Sequence, residues 1–326
     1  MGIDNLNSAV EPEQFSSEPE PMLIALDNLD CYVISGEDSQ TFLQGQLTNN
    51  VDEITSSAGQ LTSYCTPKGR MLAIFYLLKW HDQFLAIIPS DISESVIKRL
   101  QMFVLRSKVE IKKLEEKSAL GIYGVNDHDF KALFKLDLPI EDYQTSTGED
   151  SICIKIPGIS NRYIFIGDQL NSNKLIVYTN TYWKWLDIMS GVPSLTESTQ
   201  EAFVPQMTNM ELINGVSFSK GCYPGQEIVA RLHYLGNANR RMFRIKSKSE
   251  QVLNAGDDVY SSGSEQSIGK LVSAVKENDQ QYSGLAVIRI EAVQKNELSV
   301  HSGQGSRIEI MPLPYQVPTK LEKKAN

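Results

Sequence analysis

Apolar residues occur in short runs broken by turn signals, which limits this chain to several small mixed cores. The longest strongly apolar runs, 71–78 and 84–88, are far below the ~20 residues a membrane-spanning helix needs. Between 22 and 114 the runs alternate in type. Residues 31–34 read as a short strand, and Ser35 is placed to cap a helix that buries Phe42, Leu43 and Leu47. Segments 61–65 and 71–78 flank Thr66-Pro67-Lys68-Gly69-Arg70, a Pro/Gly turn between two strands. After a turn at His81-Asp82-Gln83 comes strand 84–88. Asp91 or Ser93 then caps a helix whose Ile92, Val96, Leu100 and Phe103 recur at helical spacing. Strand 109–114 completes a β-α-β-β-α-β unit with one extra strand.

Residues 118–180 repeat that order more faintly: strand 120–125, helix 127–136, a hairpin from 152–156 and 163–167, and a helix over 170–178. Helix 181–191 ends at Gly191, with Pro193 beyond it as a stop signal. Segment 192–239 is irregular, yet its Met207, Met210, Leu212, Ile213, Val216 and Phe218 require something to pack on. From Arg241 the texture changes to short strands at 242–246, 258–260, 267–275, 284–290, 298–301 and 307–310, which suggests a small barrel. A length of 326 residues suits two or three domains. The expected units are 22–116 with 181–239, 117–180, and 240–316, with loose ends at 1–21 and 317–326.

The net charge of -9 is unevenly spread. Segment 1–21 holds Asp4, Glu11, Glu13, Glu18 and Glu20, no Lys or Arg, and Pro12, Pro19 and Pro21. Such a composition buries too little apolar surface to offset the entropy of ordering, so a disordered acidic tail is expected. It lacks the basic start and apolar centre of a signal peptide. A cytoplasmic protein is expected, with Cys31, Cys65, Cys153 and Cys222 as free thiols. Neither cysteines nor histidines show zinc-ligand spacing.

The richest chemistry lies in Lys220-Gly221-Cys222-Tyr223-Pro224-Gly225-Gln226-Glu227. Pro224-Gly225 favours a tight turn, and 226–231 can begin a helix that sets Cys222 near its N-terminus. That dipole, with Lys220 close by, favours a reactive thiolate; a buried, inert cysteine in a packed turn is the alternative. Gln226 and Glu227 either bind a ligand's amide or pterin-like edge or hold the loop together through the backbone. Between 220 and 248, Lys220, Arg231, Arg240, Arg241, Arg244, Lys246 and Lys248 face a single acid, Glu227. Such a region attracts a carboxylate tail, a phosphate backbone or an acidic partner. Lys246 and Lys248 read as a solvated strand face, whereas Arg231, Arg240 and Arg241 flank the loop. No recognised RNA module appears, so stable direct nucleic-acid binding is not expected.

The octapeptide, with Phe203-Val204-Pro205-Gln206 before it, the hairpin Cys65-Thr66-Pro67-Lys68-Gly69-Arg70 and segment 35–47, resembles the YgfZ family of folate-binding proteins over almost the whole chain beyond the acidic tail. The resemblance implies an α+β, aminomethyltransferase-like fold: two ferredoxin-like domains around a central cavity, then a C-terminal small β-barrel. It also implies tetrahydrofolate or a derivative as ligand. The implied role is support of iron–sulfur enzymes, including radical enzymes that thiolate tRNA. The site residues implied are Cys222 as candidate reactive thiol with Lys220, and Trp183, Leu29, Tyr223, Gln226, Glu227 and Arg231 around folate.

Two departures from the related T-protein enzymes and from bacterial YgfZ proteins stand out. The stretch Gly69-Arg70-Met71-Leu72-Ala73-Ile74-Phe75 lacks the catalytic aspartate of the T-proteins, which argues against aminomethyl transfer. Leu29 stands where an early tryptophan is expected, offering apolar contact in place of stacking. Tyr32 is a substitute for that ring, and Trp185 competes with Trp183. A folate-dependent one-carbon transferase with Cys222 as nucleophile is the alternative function.

Overall fold

The computed structural model describes residues 9–16, 18, 20–168, 176–234, 238–295 and 297–318. The first sheet has the order β3-β4-β5-β2-β6, built from β2 (Leu29–Ser35), β3 (Gln60–Cys65), β4 (Met71–Trp80), β5 (Gln83–Pro89) and β6 (Glu110–Lys113). Helix α1 (Ser39–Gln44) follows β2. Its N-cap is Asp38 and not Ser35, which ends the strand. The Asp38 carboxylate accepts from Lys108 N at 2.7 Å instead of capping the helix. Helix α2 (Ser90–Val104) buries Ile92, Val96 and Leu100 as their spacing requires, but Phe103 is exposed in the last turn, and the N-cap is Pro89, not Asp91 or Ser93.

The second sheet has the order β11-β1-β7-β10-β9-β8. Its strands are β1 (Met22–Ala25), β7 (Ser118–Tyr123), β8 (Thr145–Thr147), β9 (Ile152–Ile156), β10 (Arg162–Gly167) and β11 (Val177–Tyr178). Sequence order assigns 22–25 to the first unit; the structure pairs β1 with β7 and β11 instead. Residues 177–178 are strand where a helix is expected, and 169–175 lie outside the described residues. Helix α3 (Asp127–Phe134) covers this sheet, its Phe130 and Phe134 against Tyr163 and Phe165. The other faces of both sheets share one core, in which Leu61 and Leu77 join Ile154 and Ile164.

Part of the acidic N-terminal segment is packed, contrary to its composition. Val10 N donates to Val177 O at 3.0 Å, and Phe15 lies 5.5 Å from the Tyr182 ring and 5.4 Å from Trp185. The Phe15 side chain and the Val10 backbone thus find tertiary partners that a composition average hides. Residues 1–8 lie outside the described residues.

Helix α4 (Asn180–Ser190) ends at Gly191, whose φ of +67° supplies the left-handed cap. Short 3-10 turns at Pro205–Thr208 and Met210–Ile213 then lead to α5 (Gln226–Tyr234). The C-terminal strands are β12 (Arg240–Lys248), β13 (Asp258–Ser261), β14 (Ser267–Lys276), β15 (Gln281–Arg289), β16 (Leu298–Val300) and β17 (Ser306–Met311). They close a barrel in the order β12-β15-β14-β13-β16-β17. Alternation along its strands serves two cores at once. Phe243, Ile245, Leu271, Ala286 and Ile288 fill the barrel, while Met242, Val272, Leu285 and Val287 belong to the main core. That is why β15 is buried almost throughout.

Candidate functional site

Where α4 meets β3, β4 and β14, packing leaves a cavity of about 400 Å³. Its wall includes Leu29, Ile74, Phe75, Tyr76, Trp183 and Asp187, with Val272, Ser273 and Ala274 from the barrel. Leu29 and Trp183, far apart in sequence, are therefore brought together. Trp183 is buried, with the Arg162 guanidinium 5.0 Å from its ring centre. Trp185 is turned away by about 200° of helix and donates Nε1 to Glu277 Oε1 at 2.8 Å. Tyr32 is not in the wall; its hydroxyl lies 3.4 Å from Ser93 Oγ. Phe75 and Tyr76 supply the rings instead.

Asp187 is one helical turn beyond Trp183, on the same face. Its Oδ1 accepts from Nη1 of fully buried Arg162 at 2.6 Å. The remaining guanidinium nitrogens, Nε and Nη2, donate to Pro157 O at 3.1 and 2.9 Å. Burial pushes the Asp187 carboxyl up, and Arg162 draws it part of the way back. The other carboxylate in the wall, Asp91, accepts from Glu197 N at 3.1 Å. Asn28, also in the wall, has its Oδ1 buried without a hydrogen-bond partner, which leaves an acceptor for a donor not present in the protein. Exposed Lys184 adds a cation. On β4 the wall shows Ile74, Phe75 and Tyr76, with no carboxylate.

The octapeptide lies elsewhere: none of Lys220, Cys222, Tyr223, Gln226, Glu227 and Arg231 lines the cavity. Lys220 is buried, and its ammonium donates to Gln44 O at 2.7 Å, Leu47 O at 2.6 Å and Asn49 O at 2.9 Å. It also sits 5.3 Å from the Tyr223 ring centre. Burial draws its pKa down to about 8. Tyr223 is buried, and its hydroxyl is pushed up chiefly by that burial. Gln226 Nε2 donates to Gly221 O at 3.3 Å, closing the loop on itself. Glu227 and Arg231 are exposed on α5.

Gly225 seats the loop on the hairpin turn. Its φ is +83°, and a Cβ there would lie 2.5 Å from Thr66 O and 2.6 Å from Gly69 Cα. Gly69 itself has φ +70°. The two Pro/Gly turns singled out in the sequence therefore interlock, and only glycine fits at Gly225. Cys222 is left exposed on this scaffold, whereas Cys31, Cys65 and Cys153 are buried. Burial pushes the thiols of Cys31 and Cys65 up to about 12, and that of Cys153 well above its ordinary value. Arg241, expected beside the loop as a free cation, instead pairs with Glu211 and donates to Gln206 O. No group of His, Cys, Asp and Glu among the described residues is arranged to hold a metal ion, and none of their helices is long and apolar enough to cross a membrane.

The sequence matches no protein-family model. Among solved structures, the chain is similar to the glycine cleavage system aminomethyltransferase T from Bartonella henselae, with a TM-score of 0.71 at 10% identity over 91% of this chain and 87% of that one. A partial similarity to the heterotetrameric sarcosine oxidase from Corynebacterium sp. U-96, solved in complex with pyrrole 2-carboxylate, has a TM-score of 0.35 at 12% identity, over 49% of this chain and 81% of that one. With two sheets sharing a core and a closed six-stranded barrel, the chain has the aminomethyltransferase fold.

Proposed function

We propose that this chain is a folate-binding accessory protein that supports iron–sulfur enzymes and, through them, tRNA methylthiolation. The observation that carries the folate reading is the cavity wall, where Trp183 and Leu29 meet beside Phe75 and Tyr76. Its volume of about 400 Å³ falls in the range of small-molecule sites. The unpartnered Asn28 Oδ1 and the Asp187 carboxylate suit the N–H edge of a planar heterocycle, the aromatic rings suit its faces, and Lys184 suits a carboxylate tail. The iron–sulfur and tRNA part rests on the octapeptide's resemblance to the YgfZ family.

The wall also favours binding over transfer. Proton transfer at a folate nitrogen needs an acid or base within reach. Asp187 is held in an ion pair with Arg162, Asp91 accepts from Glu197 N, and β4 presents apolar residues and Tyr76 in place of a carboxylate. Cys222 stands outside the wall, so a one-carbon transferase with this nucleophile would need the loop to move. That second reading predicts turnover of a methylene- or formyl-tetrahydrofolate with a purified acceptor.

Calorimetric titration with tetrahydrofolate separates these readings. Wild type and Cys222→Ala should bind alike, and Trp183→Ala should lose about tenfold or more in affinity. No heat with wild type sinks the folate reading. In cells, deletion should depress tRNA methylthiolation, and Cys222→Ala should fail to restore it. Full rescue by Cys222→Ala would remove the thiol from the role.

A further inference from the structure

On β12, Arg240 alternates with Met242, and on β15 Arg289 alternates with Leu285 and Val287. Met242, Leu285 and Val287 all belong to the main core, so Arg240 and Arg289 stand on the barrel face that is turned to the body, at its edge. The register sets these two arginines directly opposite one another. From the body, Arg70 at the end of the hairpin turn donates Nη1 to Ala202 O at 2.7 Å. Four residues further along that segment, Gln206 O accepts from Arg241 at 2.8 Å, so the hairpin and the first barrel strand grip the same short stretch.

Like charges directly opposite on neighbouring strands destabilise a sheet. Burial, then Arg289, then Arg70 lower the proton affinity of Arg240. Among the described residues, the arginines in ion pairs with carboxylates are Arg162 and Arg241. Arg70, Arg240 and Arg289, at this seam between barrel and body, have no ion pair with a carboxylate among the described residues. None of the three residues lines the cavity.

We propose that Arg70, Arg240 and Arg289 form an oxyanion site that takes a phosphate group and clamps the barrel to the body. Guanidinium forks match phosphate oxygens in bidentate geometry, and a phosphate carries enough oxygens and charge to engage more than one fork. A single carboxylate satisfies one. The site is independent of the folate reading, since it shares no wall with the cavity. The phosphate comes from a free small ligand or from a nucleic-acid backbone.

The test uses the full chain in buffer free of phosphate and sulfate. Thermal unfolding and calorimetry follow addition of inorganic phosphate and pyrophosphate, with sodium chloride at matched ionic strength as control. Pyrophosphate should raise the melting temperature of wild type, with a smaller rise from phosphate. Arg289→Gln and Arg240→Gln should bind pyrophosphate about tenfold or more weakly. In chloride alone both should be at least as stable as wild type, because removing one of several crowded like charges relieves repulsion. That opposite sign separates an anion site from a merely structural arginine. If either variant fails to fold, the other still decides. A short single-stranded RNA that displaces pyrophosphate from wild type identifies a backbone source; failure to displace it identifies a free phosphate ligand. An equal shift from matched chloride, or full pyrophosphate response in both variants, would overturn the proposal.

Discussion

The cavity wall and the octapeptide loop both contain buried polar groups, but these face different partners. In the wall, Asp187 is paired with buried Arg162 behind it, and Asn28 Oδ1 is buried without a hydrogen-bond partner. Polar capacity is left open toward an enclosed space. In the loop, Lys220 is committed to three backbone carbonyls and Gln226 to Gly221 O. What the loop leaves open is a thiol, and it faces outward. The most distinctive peptide in the sequence therefore leaves Cys222 exposed, while the cavity is lined by residues without a local motif.

The largest effect expected is at the wall. Arg162→Ala strands a buried carboxylate and should cost about 3–5 kcal/mol in urea unfolding. A loss below ~1 kcal/mol would show that the pair does not hold the wall together. At the loop, Gly225→Ala meets both a forbidden φ and the hairpin backbone. It should cost about 2–4 kcal/mol and change the alkylation rate of Cys222. Wild-type stability with an unchanged alkylation rate would break the interlocked-turn description.

Alkali distinguishes the buried thiols from the presented one. The thiols of Cys31 and Cys65 ionise at about 12 in the fold against 9.0 unfolded, so the folded state holds more protons between those values. Stability should therefore fall as pH rises above about 9, by about 1.4 kcal/mol per thiol at pH 10. Lys220, lowered to about 8, acts in the opposite sense between that value and its ordinary 10.5, since there the unfolded chain holds more protons. Lys220→Met should thus lose stability more steeply with alkali than wild type. At neutral pH it should cost about 1–3 kcal/mol for the carbonyls it leaves without a donor. The smallest effect is that of Cys222→Ala, within about 0.5 kcal/mol, as for an exposed side chain with no packing role. Native alkylation at pH 8 should modify Cys222 alone.

Much of the fold was legible because its signals are local. Apolar alternation and turn residues mark β12 through β17, and the 3.6-residue spacing of Ile92, Val96 and Leu100 marks α2. Of the six residues that the resemblance places around folate, Leu29 and Trp183 line the cavity and Tyr223, Gln226, Glu227 and Arg231 do not. Asp187 had a usable local signal, its position one turn after Trp183. Arg162 had none, because its partner lies 25 residues away on another element. Tyr76 and Phe75 read as ordinary strand core until the barrel was seen to leave space beside them.

From the sequence alone came most of the element types, the presence of two Pro/Gly turns, the barrel and the absence of a carboxylate after Gly69. Each depends on periodicity, backbone dihedral preference or residue identity, which are properties of short segments. The tertiary structure decided that β1 joins the second sheet, that Phe15 packs on α4, and that Lys220 is held by carbonyls far from it in sequence. It also decided that the cavity and Cys222 are separate. Those outcomes depend on which surfaces meet when sheets, helix and barrel pack, and no short-range pattern encodes the distance between residues on different elements.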